Sequence, residues 1–173
     1  TAAFAAGVRA ALGEVIVTLD ADLQNDPADS PRLIAAMQDC DVVCGVRQDR
    51  HDSKVRLISS RIANSVRNRL TDESITDVGC SLRAFRRELT RNLPLFTGMH
   101  RFLPTLLRLQ GGAVREIPVR HRPRIHGESK YGIHNRLWVG LADLFAVRWM
   151  LKRWIDGRLS NEVTPDRDQN PSA

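Results

Sequence analysis

Aromatic side chains are scarce in this chain. Phe, Trp and Tyr make up 5% of its 173 residues, and Tyr131 is its one tyrosine. Proteins that hold single-stranded nucleic acid stack bases on aromatic rings beside basic strands. Only Phe85 and Tyr131 offer such rings here, and no nucleic-acid-binding motif accompanies them. Nucleic acid is therefore not an expected partner, and a basic nucleic-acid-binding module is retained as an alternative class. Cysteine is also rare. Cys40, Cys44 and Cys80 are odd in number, and Cys40 and Cys44 lack the spacing of a metal-binding pair. They read as reduced, buried thiols facing the cytosol. No stretch approaches the roughly 18 consecutive apolar residues of a membrane-spanning helix. The first residues, TAAFAAGVRAALGEVIV, lack the basic segment and long apolar run of a signal peptide. Their helical stripe (Phe4, Val8, Ala11, Leu12) runs directly into a strand, and the first residue is Thr1 rather than Met. This reads as a chain that has lost an N-terminal part.

What is present points to a folded, polyanion-binding protein. Hydrophobic residues make up 42% of the chain, enough for a packed core. The formal charge is +6, which favours nucleic acid, anionic lipid surfaces or phosphorylated small molecules. The β-branched run 15–19 predicts a buried strand. Asp26-Pro27 predicts a helix cap and first helical position, with Leu33, Ile34 and Met37 on one face of the helix that follows. Residues 40–47 predict a second strand, and 50–54 a polar, mobile link. In 54–70 a helix is expected, its apolar stripe formed by Ile58, Ile62, Val66 and Leu70. Residues 79–87 predict a strand. A helix over 101–110 is stopped by Gly111-Gly112. Residues 113–121 predict a strand, with Pro118 marking an edge or an irregular position. A Gly-, His- and Arg-rich loop over 121–135 precedes a Leu/Trp-rich helix over 136–155, and the polar tail reads as disordered. Alternation of strands and helices predicts an α/β sheet.

The stretch VIVTLDADLQNDP carries the first candidate chemistry. Ligands bind at the carboxyl edge of an α/β sheet. In an extended segment the Asp20 and Asp22 carboxylates, two residues apart, face the same way. Paired carboxylates suit a hard divalent cation completed by substrate phosphates and water, and Gln24 continues the parity. The bland alternative makes both aspartates turn and cap residues. An aspartyl-phosphate-type phosphatase, with the first aspartate as nucleophile, is a further alternative. Gln24 stands where that site usually has Thr or Val, and no downstream acidic pair completes it.

In order along the chain stand VIVTLDADLQNDP, DVVCGVR, DVGCSLRAFRRE, MHRFLP, REIPVRHRPRIHGESKYG and the Leu/Trp-rich helix. Over roughly Thr1 to Ile155 this set resembles the family-2 glycosyltransferases of the polyprenyl-phosphate type, relatives of dolichol-phosphate mannosyltransferase and undecaprenyl-phosphate sugar transferases. The resemblance implies a GT-A (Rossmann-like) fold, of which only the C-terminal part is expected here, as a mixed sheet with flanking helices. It implies an inverting, metal-dependent enzyme that moves a sugar from a nucleotide-diphosphate donor to a polyprenyl phosphate, for cell-envelope glycan or glycolipid synthesis. It further implies Mg²⁺ or Mn²⁺ on Asp20, Asp22 and Gln24, and Arg124, with Gly127, Ser129 and Lys130, near donor or product phosphates. By this resemblance the family's N-terminal, nucleoside-binding third is expected to be missing from the chain, which by itself is then expected to have weak activity or none.

The remaining assignments combine chemistry with that resemblance. Asp77 stands where inverting transferases place a general base. A phosphate monoester, with a second pKa of about 6, is already an anion at neutral pH, so Asp77 is alternatively an orienting group. Arg47 and Arg61 are the candidates for the acceptor phosphate, and His100 and Arg101 could face the sugar. The expected organisation is a partial catalytic domain over 1–132, an amphipathic helix over 133–157 and a tail over 158–173. Asp143 interrupts that helix, which therefore lies on an anionic membrane surface or packs in a core or oligomer. The expected location is cytoplasmic, peripheral on the inner face of the cell membrane.

Overall fold

The computed structural model describes residues 1–48, 54–122 and 133–155. Helix α1 (Ala2–Ala10) leads into strand β1 (Val15–Thr18), followed by α2 (Ser30–Ala35), β2 (Val42–Arg47), α3 (Lys54–Thr71), β3 (Arg83–Arg86), α4 (Leu103–Leu109), β4 (Val114–Val119) and α5 (Ile133–Arg153). The four strands form one mixed sheet in the order β1-β3-β2-β4. β3 runs antiparallel to both β1 and β2, and β4 runs parallel to β2. Hence β1, β2 and β4 all point their carboxyl ends at the same sheet edge, where β3 begins. Pro118 lies on β4, an edge strand, where the missing N–H breaks no interior ladder.

Strand periodicity divides the core into two faces. Val42, Cys44 and Phe85 point into a cluster with Leu103, Leu106, Leu107, Leu144 and Val147, while Val43 and Ala84 point oppositely, onto Leu33 and Met37. Helices α4 and α5 therefore cover one face and α2 the other. Gly45 is required at the centre, since a Cβ there would lie 2.8 Å from Val119 Cγ2 and 3.0 Å from Cys80 Sγ. The three cysteines are buried free thiols. Burial pushes the Cys44 thiol up to about 11, which leaves it protonated and inert at neutral pH.

Several expectations change. The strand over 79–87 contracts to β3, because residues 77–80 form a turn closed by Cys80 N–H on Asp77 O at 3.2 Å. The helix over 101–110 divides into a 3₁₀ turn (Met99–Phe102) and α4, and Gly111, at φ +86°, ends it as expected. Ile34 leaves the α2 core face and is 46% exposed. Most of the stripe on α3 points outward: Ile58 is 56%, Ile62 60% and Val66 44% exposed, and only Leu70, at its end, packs against the core. The buried side of α3 instead carries Arg67 and Thr71. Apolar periodicity locates a helix but does not say which face the protein covers, and here a buried ion pair took the inner position. Arg67 reaches Glu73 Oε2 at 2.9 Å, with Glu73's side chain 2% exposed. The tail over 158–173 and, apart from Lys54 at the start of α3, the link over 50–54 lie outside the described residues.

Candidate functional site

Asp20 and Asp22 follow β1 at the shared carboxyl edge, but not in an extended segment. Residues 21–23 turn, Asp22 Oδ1 accepts the Gln24 N–H at 3.2 Å, and Leu23 adopts a left-handed φ of +62°. An aspartate whose side chain closes its own turn replaces the strand geometry, so the parity that grouped Gln24 with the two carboxylates does not hold. Gln24 Nε2 instead reaches Arg122 O at 3.5 Å. Asp20 stays exposed, and its N–H donates to Ser81 Oγ at 3.1 Å. Ser81 also accepts from Asn25 Nδ2 at 2.8 Å, and its carbonyl accepts from the Thr18 hydroxyl at 3.0 Å. The β1 exit is thereby fastened to the turn that carries Asp77.

Asp26 caps the next turn as expected, accepting the Ala28 N–H at 3.1 Å with Pro27 in the first position. It also accepts from Arg122 Nη2 at 2.7 Å. Asp29, buried, accepts the Arg120 N–H at 2.8 Å, and Gln24 O accepts the Arg122 N–H at 2.8 Å. These contacts clamp the end of β4 onto the aspartate segment and so bring the start of the basic loop beside it. Arg124, Gly127, Ser129 and Lys130 themselves lie outside the described residues. The Ala28 N–H, then the Arg122 guanidinium, hold the Asp26 carboxyl below the usual carboxylate range against the opposing effect of burial. A depressed carboxylate stabilises the fold above its unfolded pKa of about 3.9 and loses that contribution as pH falls through its folded value. Asp26→Asn is therefore expected to melt below wild type at neutral pH and to converge with it in acid. Thermal melts between about pH 2 and pH 7 check this, and a pH-independent gap would contradict it.

Arg47 and Asp77, separate in sequence, meet at the end of β2. The guanidinium grips the carboxylate through Nε to Oδ2 at 2.7 Å and Nη2 to Oδ1 at 2.8 Å, while the Arg47 N–H adds a contact of 3.1 Å to Oδ2. Gly79 makes room, since a Cβ there would come within 2.6 Å of Arg47 Nη2. Arg61 is on the exposed side of α3. Arg101 turns to α5, where Nη2 meets Asp143 Oδ2 at 2.7 Å. The charge that interrupts the last helix is thus paired with a residue expected to face sugar. His100 stands near Asp20. Desolvation is the main cause holding its imidazole below the ordinary value, with nearby positive charge, Arg101 and Arg83 included, adding to it and Asp20 opposing.

The oxygen donors of Asp20 and Asp22 suit a hard divalent ion, but among the described residues no group of three or more His, Cys, Asp or Glu converges to bind one. Two carboxylates with the remaining positions filled by substrate phosphate and water is an ordinary Mg²⁺ arrangement. A groove of about 580 Å³ lies elsewhere, between α1 and residues 86–95, and none of the candidate residues lines it. Sequence reading missed Ser81, Asn25, Asp29 and Glu116, whose roles depend on partners distant in the chain. Asp29, in a helix-opening DPAD, carried a capping signal only.

Comparison with known proteins bears on the fold and the family. The fold is similar to that of glucosyl-3-phosphoglycerate synthase from Mycobacterium tuberculosis, at a TM-score of 0.52 and 15% identity, covering 83% of this chain and 51% of that one. It supports the fold alone, a partial GT-A fold. Undecaprenyl-phosphate 4-deoxy-4-formamido-L-arabinose transferase of Edwardsiella ictaluri is 44% identical over 132 residues, 76% of this chain and 41% of its own length. Dodecaprenyl-phosphate galacturonate synthase of Rhizobium johnstonii is 36% identical over 157 residues, 88% of this chain and 46% of its own. The chain thus spans less than half the length of these relatives. With its residues 1–93 matching the model of glycosyl transferase family 2, the chain belongs to that family.

Proposed function

We propose that this chain is the metal- and acceptor-binding part of an inverting glycosyltransferase that moves a sugar from a nucleotide-diphosphate donor to a polyprenyl phosphate. The observation that carries the reading is topological. The ends of β1, β2 and β4 share one sheet edge, which gathers Asp20 and Asp22, the Arg47–Asp77 pair and the start of the basic loop. The relatives named for polyprenyl-phosphate sugar transfer supply the substrate class.

The roles follow from charge. Asp20 and Asp22 would hold Mg²⁺ or Mn²⁺, with Gln24 adjoining, and the bound ion would supply neutralisation of the departing diphosphate. Arg124 and Lys130, with Gly127 and Ser129, would cradle the donor phosphates. Arg47, with Arg61, would receive the acceptor phosphate. An acceptor already anionic at neutral pH needs no strong base. The commitment of Asp77 to the Arg47 guanidinium favours orientation of Arg47 over proton abstraction. Titrating a panel of UDP- and GDP-sugars against the protein with and without Mn²⁺ tests the reading. Metal-dependent donor binding supports it, and binding indifferent to metal overturns it.

Helix α5, which ends at Arg153 rather than running to 157, is proposed to rest on the membrane surface. No described helix is long and apolar enough to cross a membrane. Trp138, Phe145 and Trp149 are 70%, 61% and 62% exposed, and their spacing puts them on one face of α5. Arg153 stands 5.9 Å over the Trp149 ring, next to Lys152. Exposed aromatics flanked by cations suit an anionic lipid interface, on the cytoplasmic face in this reading. Trp138→Ser with Trp149→Ser is expected to lower partitioning into phosphatidylglycerol vesicles on the order of 10-fold. Equal sedimentation of variant and wild type with vesicles, or loss of self-association in place of lipid binding, would refute it.

A further inference from the structure

Glu116, on edge strand β4, takes no part in the roles above, yet its carboxylate gathers a concentrated set of contacts. Thr76 N–H lies 2.9 Å from Oε1 and 3.0 Å from Oε2, the Thr76 hydroxyl donates to Oε2 at 2.6 Å, and Asp77 N–H donates to Oε1 at 3.2 Å. Residues 73–77 belong to no helix or strand, so no ladder holds those N–H groups. Backbone donors in such a segment are ordered only by specific acceptors. On the other side, Asn64 Nδ2 of α3 donates to Thr76 O at 2.8 Å, and Asn68 Nδ2 donates to Ile75 O at 2.8 Å. The peptide before Asp77 is thus gripped between α3 and β4.

We infer that Glu116 is a positioning residue for the Arg47 anion site, acting through the Thr76–Asp77 peptide to set the plane of the Arg47 guanidinium. This rests on the reading of Arg47 as a phosphate-binding residue. The chain of contacts is short. Glu116 fixes the Asp77 backbone, the buried Asp77 carboxylate holds Nε, Nη2 and the backbone N–H of Arg47, and the planar fork then has one orientation. A guanidinium binds phosphate through donors fixed in a plane, so losing that orientation lowers affinity without removing charge. The ladder adds rigidity, since Glu116 pairs with Cys44 in the strand whose last residue is Arg47.

The test uses farnesyl phosphate as probe, titrated calorimetrically, with the Nε–H resonances of Arg47 and buried Arg67 read by NMR. Wild type is expected to bind and Arg47→Ala to lose about 10-fold or more. Glu116→Ala is expected to lose about 5-fold, with the Arg47 signal broadened and that of Arg67 unchanged. Glu116→Gln, whose amide can accept both N–H groups and donate to the Thr76 hydroxyl, is expected to restore binding to within about 2-fold. Thr76→Val, which deletes only the hydroxyl contact, gives the same readout where Glu116→Ala does not fold. A broadened Arg47 signal in it supports the inference, and an unchanged one overturns it. Wild-type affinity and an unchanged Arg47 signal in Glu116→Ala likewise overturn it, while leaving the acceptor reading intact. No loss on Arg47→Ala, or no binding by wild type, would instead remove the acceptor reading on which it rests.

Discussion

Asp22→Asn is expected to lower Mn²⁺-dependent nucleotide-sugar binding on the order of 100-fold while leaving the fold as stable as wild type, and Asp22→Ala to lose both binding and some stability. The two substitutions differ because Asp22 has a second task. Its Oδ1 closes the turn onto the Gln24 N–H and supports the left-handed Leu23. Asparagine keeps an oxygen for that contact and removes only the charge. Alanine removes the contact too, at about 1 kcal/mol, and releases a residue whose conformation is unfavourable for a branched side chain. Calorimetric titration with and without Mn²⁺, beside urea melts, separates the effects. An asparagine variant that binds donor with the metal dependence of wild type would show that Asp22 belongs to the turn alone.

Glu73→Ala is expected to destabilise the protein by about 3–5 kcal/mol, a large share of a domain's usual margin. Glu73's side chain is 2% exposed, and its Oε2 receives Arg67 Nη2 at 2.9 Å and the Thr71 and Thr105 hydroxyls at 3.0 and 2.9 Å. Arg108 Nε adds a longer contact of 3.7 Å to Oε1 from a more exposed side chain, screened and worth less. Burial, opposed by Glu73, already holds the Arg67 guanidinium below its ordinary pKa. Among the described residues its Nε and Nη1 have no hydrogen-bond partner, although the Phe102 ring lies 5.6 Å away. Removing Glu73 strands a cation in the core. Glu73→Gln, which keeps an acceptor, is expected to cost about 1–3 kcal/mol. Equilibrium urea unfolding measures both, and a Glu73→Ala variant within about 1 kcal/mol of wild type would contradict the account.

The candidate site was partly legible in the chain. Asp20, Asp22 and Asp26-Pro27 announced a strand exit followed by a capped turn, and the cap is present. Their local spacing carried that message because a strand end and a helix start are local events. Arg47 and Asp77 were each singled out, but not as partners, since 30 residues separate them in sequence. Arg101 was read toward sugar because nothing local reveals that Asp143, on α5, takes its guanidinium.

By itself the sequence determined most element types, the burial of the cysteines and the placement of the aspartates after β1, and it narrowed β4 to an edge or an irregular position. These depend on side-chain period, branching, proline chemistry and capping, all confined to neighbouring residues. Only the tertiary structure decided which face of α3 lies inward, that Arg47 meets Asp77, and that β1, β2 and β4 end at one sheet edge. It alone joined Glu116 to Thr76 and Asp77. Those features depend on closing long loops so that distant charges satisfy one another in a desolvated setting. The buried Arg67–Glu73 pair lies on the inner side of α3 while Ile58, Ile62 and Val66 stay exposed, and once buried neither charge can lose its partner without a large penalty.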